Sequence, residues 1–189
     1  TALCGEIMGA DSALYNCLDG DILRSCGQWN TPPGFQPVDN AYGHICYDVI
    51  KNNGEDVIVI RNLQDTDYAR TDPNVRKYGL QTYVGLAVKV SGKNIGTLCT
   101  VYQRDFEPTD EDKEIMGFIA HAISVEEERK IAIEINKIAQ FSIESAGSAI
   151  FWVNPAGKVV QANNMACVSL GYSREELLTK SIPDDIDPN

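Results

Sequence analysis

Between position 109 and about position 142 nothing in the sequence breaks a helix except Gly117. About 34 residues of α-helix span roughly 50 Å at 1.5 Å per residue, more than one small domain can cover. Thr109, with Asp112 three positions on, gives the run a defined start as an N-cap and its partner. The chain is therefore expected to place a folded body at each end of a connecting helix. In the second half of the run Ile131, Ile135 and Ile138 recur at heptad-like spacing and predict a seam for a second copy. Glu126-Glu127-Glu128-Arg129-Lys130 reads as a solvated stretch, and His121 as a surface or interface histidine.

Ahead of the helix, residues 1–10 resemble the end of a helix that started earlier. The chain opens at Thr1 without Met, which is read as a fragment of a longer polypeptide. Residues 12–18 alternate and meet Asp19-Gly20, a hairpin signal, with a return strand over 21–29. Pro32, Pro33, Gly34 and Pro37 mark 30–40 as a loop. Apolar positions 42, 45, 46, 49 and 50 recur at helical spacing, and Asn52-Asn53-Gly54 stops that helix. A short strand over 56–60 precedes a polar loop over 61–76. Strands are expected over 82–91 and 95–102, turned by Gly92-Lys93-Asn94. Beyond the long helix the pattern restarts with strands over 148–153 and 158–162 around Asn154-Pro155-Ala156-Gly157. A short helix then ends at Gly171, and Ser173 caps another with Glu176 three positions on. Pro183 and Pro188 close the chain before a second sheet is complete.

Composition limits what such bodies do. Lys plus Arg is 16 against 27 Asp plus Glu, a formal charge of -11. That surface repels phosphate backbones and anionic lipids, so neither nucleic acid nor membrane contact is expected. No apolar run approaches the roughly 18 residues of a membrane span, and the chain opens with no signal peptide.

The 6 cysteines are Cys4, Cys17, Cys26, Cys46, Cys99 and Cys167, with no CxxC pair. Irregular spacing and apolar surroundings predict buried reduced thiols in a cytoplasmic protein. Cys17 and Cys26 flank the hairpin. A loop made of Asp19 and Gly20 would leave their thiols roughly 13 Å apart, beyond the reach of a disulfide.

Two families are resembled by the two halves. Tyr78-Gly79-Leu80-Gln81-Thr82-Tyr83-Val84-Gly85, Gly92-Lys93-Asn94-Ile95-Gly96-Thr97-Leu98-Cys99 and Phe106-Glu107-Pro108-Thr109-Asp110 resemble a GAF domain, as does the segment 43–60. Ala149-Ile150-Phe151-Trp152-Val153-Asn154-Pro155-Ala156-Gly157 through Asn163, then Leu170-Gly171-Tyr172-Ser173-Arg174-Glu175-Glu176-Leu177, resemble the first half of a PAS domain. The resemblance implies an α+β fold: an antiparallel GAF sheet flanked by helices, a long connecting helix and a partial PAS-like unit. It implies domains over 1–128 (first helix truncated) and 143–189, with 129–142 as a helical linker.

It also implies a sensory region, of the kind found upstream of histidine kinases, that binds a small molecule and relays the signal through the long helix. The parent chain would be a kinase whose catalytic domain is absent here, and the fragment itself no enzyme. A structural dimerisation module is the alternative. In the GAF pocket the candidate ligand-binding residues are Trp29, Tyr42, His44 and Cys46. Imidazole and thiolate suit haem iron, which makes haem one candidate cofactor. Positions 44 and 46 lie about 200° apart on a helix, so only one of them is expected to face the pocket. The spacing His44-Ile45-Cys46 departs from the adjacent Cys-His of bilin-binding members, and the cyclic-nucleotide signature is half present. Asp65, Asp67 and Asp72 form an acidic loop that is expected to be solvated. No GxSxG, P-loop or HExxH occurs, and only 2 histidines are present. A homodimer is the expected assembly.

Overall fold

The computed structural model describes residues 1–52 and 54–181. The chain divides into two compact units, Thr1–Arg129 and the part from Lys130 onward. The first unit runs α1 (Ala2–Ile7), β1 (Ser12–Asp19), β2 (Ile22–Trp29), β3 (Val38–Asn40), α2 (Ile45–Lys51) and β4 (Ile58–Ile60). A 3-10 turn (Leu63–Asp65), α3 (Tyr68–Thr71), α4 (Pro73–Lys77), β5 (Thr82–Val90) and β6 (Lys93–Tyr102) follow, then α5 (Asp110–Glu144), which continues into the second unit.

Among the described residues, 6 strands form one antiparallel sheet in the order β3-β2-β1-β6-β5-β4. Side chains alternate across it, as a pleated strand requires. Tyr83 and Cys99 face α2 and the turns before β5, where they pack with Ile45, Val49, Leu63 and Val75. Their neighbours Val84 and Leu98 face the other way, onto Met8 of the α1 segment and Met116 and Ala120 of α5.

The hairpin turns differ from the expected ones by a residue or two. Asp19 pairs with Ile22, so the first loop is Gly20-Asp21. An irregularity between Tyr15 and Asn16 sets Gly27 opposite Tyr15 and Ser25 opposite Asn16, which leaves Cys26 as a bulge. That bulge undoes the register behind the expected separation of Cys17 and Cys26. Burial first, and the neighbouring Cys26 side chain next, push the Cys17 thiol up to about 12. Both cysteines are free, and Cys26 is exposed rather than buried. The second turn is Ser91-Gly92, with φ of 49° and 78°, the pair of left-handed residues that a type I′ loop needs. Lys93 and Asn94 belong to β6.

Other expectations are corrected by packing. The Pro-rich loop contains β3, an edge strand paired with β2. The polar stretch 61–76 folds into three short helical turns, because Leu63, Ala69 and Val75 turn into the core. The helix expected from position 42 starts at Ile45 and ends at Lys51, with Asn52 after it. Asn53, part of its predicted stop signal, lies outside the described residues.

The long helix covers 35 residues. Thr109 Oγ1 accepts the Asp112 amide at 3.1 Å while Asp112 Oδ2 accepts the Thr109 amide at 2.8 Å. Thr109→Ala removes one arm of this cap and is expected to lower stability by about 1 kcal/mol. An unchanged denaturant midpoint would remove the cap from the account. Met116, Ile119, Ala120 and Ile123 keep the first half of α5 on the sheet. At the end of that contact Glu128 Oε1 accepts the Ser91 amide at 3.2 Å, so this member of the charged run is anchored to the β5-β6 turn.

In the second unit β7 (Phe151–Val153) pairs antiparallel with β8 (Val159–Ala162), followed by α6 (Asn164–Leu170) and α7 (Arg174–Leu177). Asn163 is fully buried, and its side chain joins these pieces. Its Oδ1 accepts the amides of Ile150 and Ala166, each at 2.9 Å. Its Nδ2 donates to the carbonyls of Ile143 (3.0 Å) and Ser148 (2.9 Å). Ser173 and Glu176 form the expected capping box. Pro183 and Pro188 lie outside the described residues. Among the described residues, no helix is long and apolar enough to cross a membrane.

Candidate functional site

A cavity of about 320 Å³ lies on the face of the sheet that carries Tyr83 and Cys99, under the loop that carries Pro32, Pro33 and Phe35. Leu14, Leu80 and Val101 supply apolar wall, and Asn16, Ser25 and Gln103 supply polar groups. Its volume is at the lower end of the about 300–1,000 Å³ of known ligand pockets.

His44 and Cys46 both line this cavity, against the expectation that only one would. His44 is not a helical residue. It occupies the N-cap of α2 with φ -75° and ψ 139°, so the 100° per residue of a helix does not relate it to position 46. Trp29 is elsewhere, packed with the α1 and α5 side of the sheet, where Gly5 has no side chain to keep its ring away. Tyr42 is exposed, donates to Asp21 at 3.1 Å and lies tilted against Tyr47 with ring centroids 5.1 Å apart. Neither aromatic ring is among the cavity's lining residues.

Two polar clusters define the chemistry. The first surrounds His44, which is buried. Its Nδ1 lies 3.4 Å from Asp72 Oδ1 and its Nε2 lies 3.5 Å from Asp39 Oδ2. Asp72 is buried as well and holds two helix starts. Its Oδ2 accepts the Ile45 amide at 3.1 Å and its Oδ1 accepts the Asn74 amide at 3.0 Å. Burial alone would lower the His44 value. Asp72, through contact and charge, with Cys46 and Asp39 behind it, outweighs burial and raises the value. Two carboxylates beside the ring therefore extend the pH range over which it keeps its second proton.

That arrangement does not fit haem. Both ring nitrogens already lie within 3.5 Å of carboxylate oxygens, Asp72 Oδ1 and Asp39 Oδ2, so neither is free to face an iron in the cavity. The expected acidic loop is also divided. Asp72 caps α4 and faces His44, Asp67 pairs with Arg70, and Asp65 is exposed. Among the described residues, no three His, Cys, Asp or Glu side chains are grouped to hold a metal ion. His121 is exposed on α5.

The second cluster lies around Cys46. Asn16 Nδ2 approaches its sulfur at 3.2 Å, Tyr83 Oη at 3.5 Å and Cys99 Sγ at 3.7 Å. Ser25 Oγ donates to Asn16 Oδ1 at 2.5 Å and so turns the amide nitrogen toward the sulfur. Contact with Cys99 first lowers the Cys46 value below that of an ordinary thiol, and Tyr83 and Asn16 add to it against the opposing effect of burial. Cys99 moves far the other way, held up by the Cys46 sulfur and by burial.

Spacing gave no sign of this cluster. Asn16, Tyr83 and Cys99 come from β1, β5 and β6, and meet only because those strands are adjacent. Asp72 carried a signal that was available: Asp-Pro is an N-cap followed by the residue type favoured at the first helical position.

The GAF domain family model matches residues 1–126, and the PAS fold model matches residues 140–189. No curated protein matches the sequence. Among solved structures, a domain described as that of a two-component sensor histidine kinase protein from Sinorhizobium meliloti 1021 is similar, with TM-score 0.59 and 17% identity. That match covers 71% of this chain and 90% of the other. The blue-light absorbing form of the Thermosynechococcus elongatus PixJ GAF domain is similar with TM-score 0.58 and 11% identity, over 72% of this chain and 85% of that one. A methyl-accepting chemotaxis protein fragment, residues 122 to 287, is similar with TM-score 0.52 and 18% identity, over 72% and 88% of the two chains. At such identities the likeness is one of fold.

Proposed function

This chain belongs to the GAF domain family, and on that ground we propose that it is the sensory and regulatory part of a signal-transduction protein, most concretely a two-component sensor histidine kinase. The PAS fold behind the GAF domain supports this reading. The kinase domain would be supplied elsewhere in the same polypeptide. This chain itself binds rather than catalyses, works in the cytoplasm and acts as a homodimer.

The observation that carries the reading is the cavity, with a buried His44-Asp72 pair on its wall. A compact metabolite suits its volume. Asp11, Asp39 and Asp72 against one histidine favour a ligand with donor groups or positive charge over an anion. Tyr83 and Cys99 form part of the lining, while Val84 and Leu98, next to them in β5 and β6, pack with Met116 of α5. A ligand that shifts these strands therefore shifts the helix seat on the other side of the sheet. Transmission requires the ligand to bind two states of that packing with different affinity.

A thermal-shift screen of small metabolites tests this directly. A ligand at about 100 times its Kd adds about 2.7 kcal/mol to stability, a shift that Leu14→Trp, which fills the cavity, should abolish. An absorption spectrum with and without added haem accompanies it, and no Soret band is expected. If nothing shifts the midpoint while the protein remains dimeric, the structural-module alternative replaces the sensor. That alternative draws on the exposed Ile131, Ile135 and Ile138, which serve either reading.

A further inference from the structure

We propose that Cys46 and Cys99 are a redox-active dithiol in the cavity wall, closed to an intramolecular disulfide by a small peroxide that enters the cavity. The sulfurs are 3.7 Å apart, and a disulfide requires about 2.0 Å. Side-chain torsions on α2 and β6 have to supply that closure. Both residues line the cavity, so an oxidant small enough to enter it meets them without unfolding the protein.

Buried cysteines in apolar surroundings are inert. Cys46 sits in the core, yet polar groups face its sulfur: Asn16 Nδ2 donates to it at 3.2 Å and the Tyr83 hydroxyl lies 3.5 Å away, so a negative charge there meets a donor instead of hydrocarbon alone. The lowered Cys46 value and the raised Cys99 value agree with one attacking thiolate and one resolving thiol. The other cysteines are placed differently. Cys4 is buried against Met8 on the opposite side of the sheet, and burial pushes it up to about 11. Cys167 belongs to the second unit. Cys17 and Cys26 are neighbours at the bulge and form the competing pair.

The chemistry balances in two steps. The Cys46 thiolate attacks the terminal oxygen of the peroxide, the O–O bond breaks, and the departing hydroxide or alkoxide takes a proton to leave as water or alcohol. Cys46 is then a sulfenic acid. The Cys99 sulfur attacks the Cys46 sulfur, the S–O bond breaks, and the hydroxyl leaves with the Cys99 proton as water. The peroxide is reduced by two electrons and the dithiol oxidised by two. The disulfide ties α2 to β6 and takes away the acceptor that Asn16 and Tyr83 face, so the cavity wall changes with redox state. This inference stands whether or not the cavity holds a metabolite.

The test is mapping of disulfides in the unsubstituted chain. Reduced protein receives a slight excess of hydrogen peroxide, free thiols are alkylated under denaturing conditions, and peptides are identified by mass. The expected result is loss of 2 of the 6 thiols through one Cys46–Cys99 linkage that dithiothreitol reverses. A Cys99→Ser variant, shown to be folded by circular dichroism, is expected to give a dimedone adduct at Cys46. Alkylated Cys46 and Cys99 after peroxide treatment, or a linkage at Cys17 and Cys26 in their place, overturns the proposal. So does a folded Cys99→Ser protein whose dimedone adduct lies on a different cysteine. Should that variant not fold, the mapping decides alone.

Discussion

Asp72→Ala is expected to lower the stability of the first unit by about 3–5 kcal/mol, the loss that follows when one partner of a buried ion pair is removed. The carboxylate has three tasks at once. It faces His44 Nδ1 at 3.4 Å, holds the Ile45 amide at the start of α2 and holds the Asn74 amide at the start of α4. Thermal unfolding should shift down by roughly 10 °C or more. Asp72→Asn separates charge from capping, because asparagine remains a good N-cap and leaves His44 without its nearest counter-charge. Its pH dependence follows from linkage. The folded-state value of His44 is raised, so its contribution is full below the unfolded value of about 6.5. It is lost as pH rises through the folded value. The stability gap between the native chain and Asp72→Asn should therefore be widest between about pH 5 and 6.5 and shrink toward alkaline pH. A gap that stays flat from pH 5 to 9 would show that His44 is not charged in the folded protein.

The second large effect concerns association. Ile135→Glu is expected to turn the proposed homodimer into monomer in sedimentation or light-scattering measurements. Ile135 is 59% exposed on α5, as is Ile138, with Ile131 at 45%. If two copies meet along this stripe, the substitution sets a carboxylate from each chain into an apolar seam. Leaving such charges unpaired costs about 4 kcal/mol or more, a weakening of roughly a thousandfold. The helix itself should persist, since glutamate is a good helix former. A dimer that survives the change would move the interface away from this stripe.

The parts of the fold that were legible depend on local rules. Thr109 with Asp112 and Ser173 with Glu176 announced two helix starts, and both caps form. The absence of breakers after Asp110, Gly117 aside, announced α5. The hairpins were visible, but not their loop positions, because Gly20-Asp21 and Ser91-Gly92 are chosen by strand twist and by bulges rather than by the Gly signal alone. The candidate site was legible in part. His44 and Cys46 both line the cavity, because His44 has an extended backbone at the N-cap and the helical angle between positions 44 and 46 does not hold. Trp29 and Tyr42, the aromatic candidates, do not line the cavity: Trp29 packs on the other face of the sheet and Tyr42 is exposed. Asn16, Tyr83 and Cys99 were beyond reach of spacing. Their contacts with Cys46 join positions 30, 37 and 53 residues apart.

The outermost strands of the six-stranded sheet, Val38–Asn40 and Ile58–Ile60, are each only 3 residues long. A ladder that short gives a foreign strand few backbone groups to register against, and Asp39 places charge within one of these borders. The domain is thus guarded against growing edge to edge into stacked aggregates.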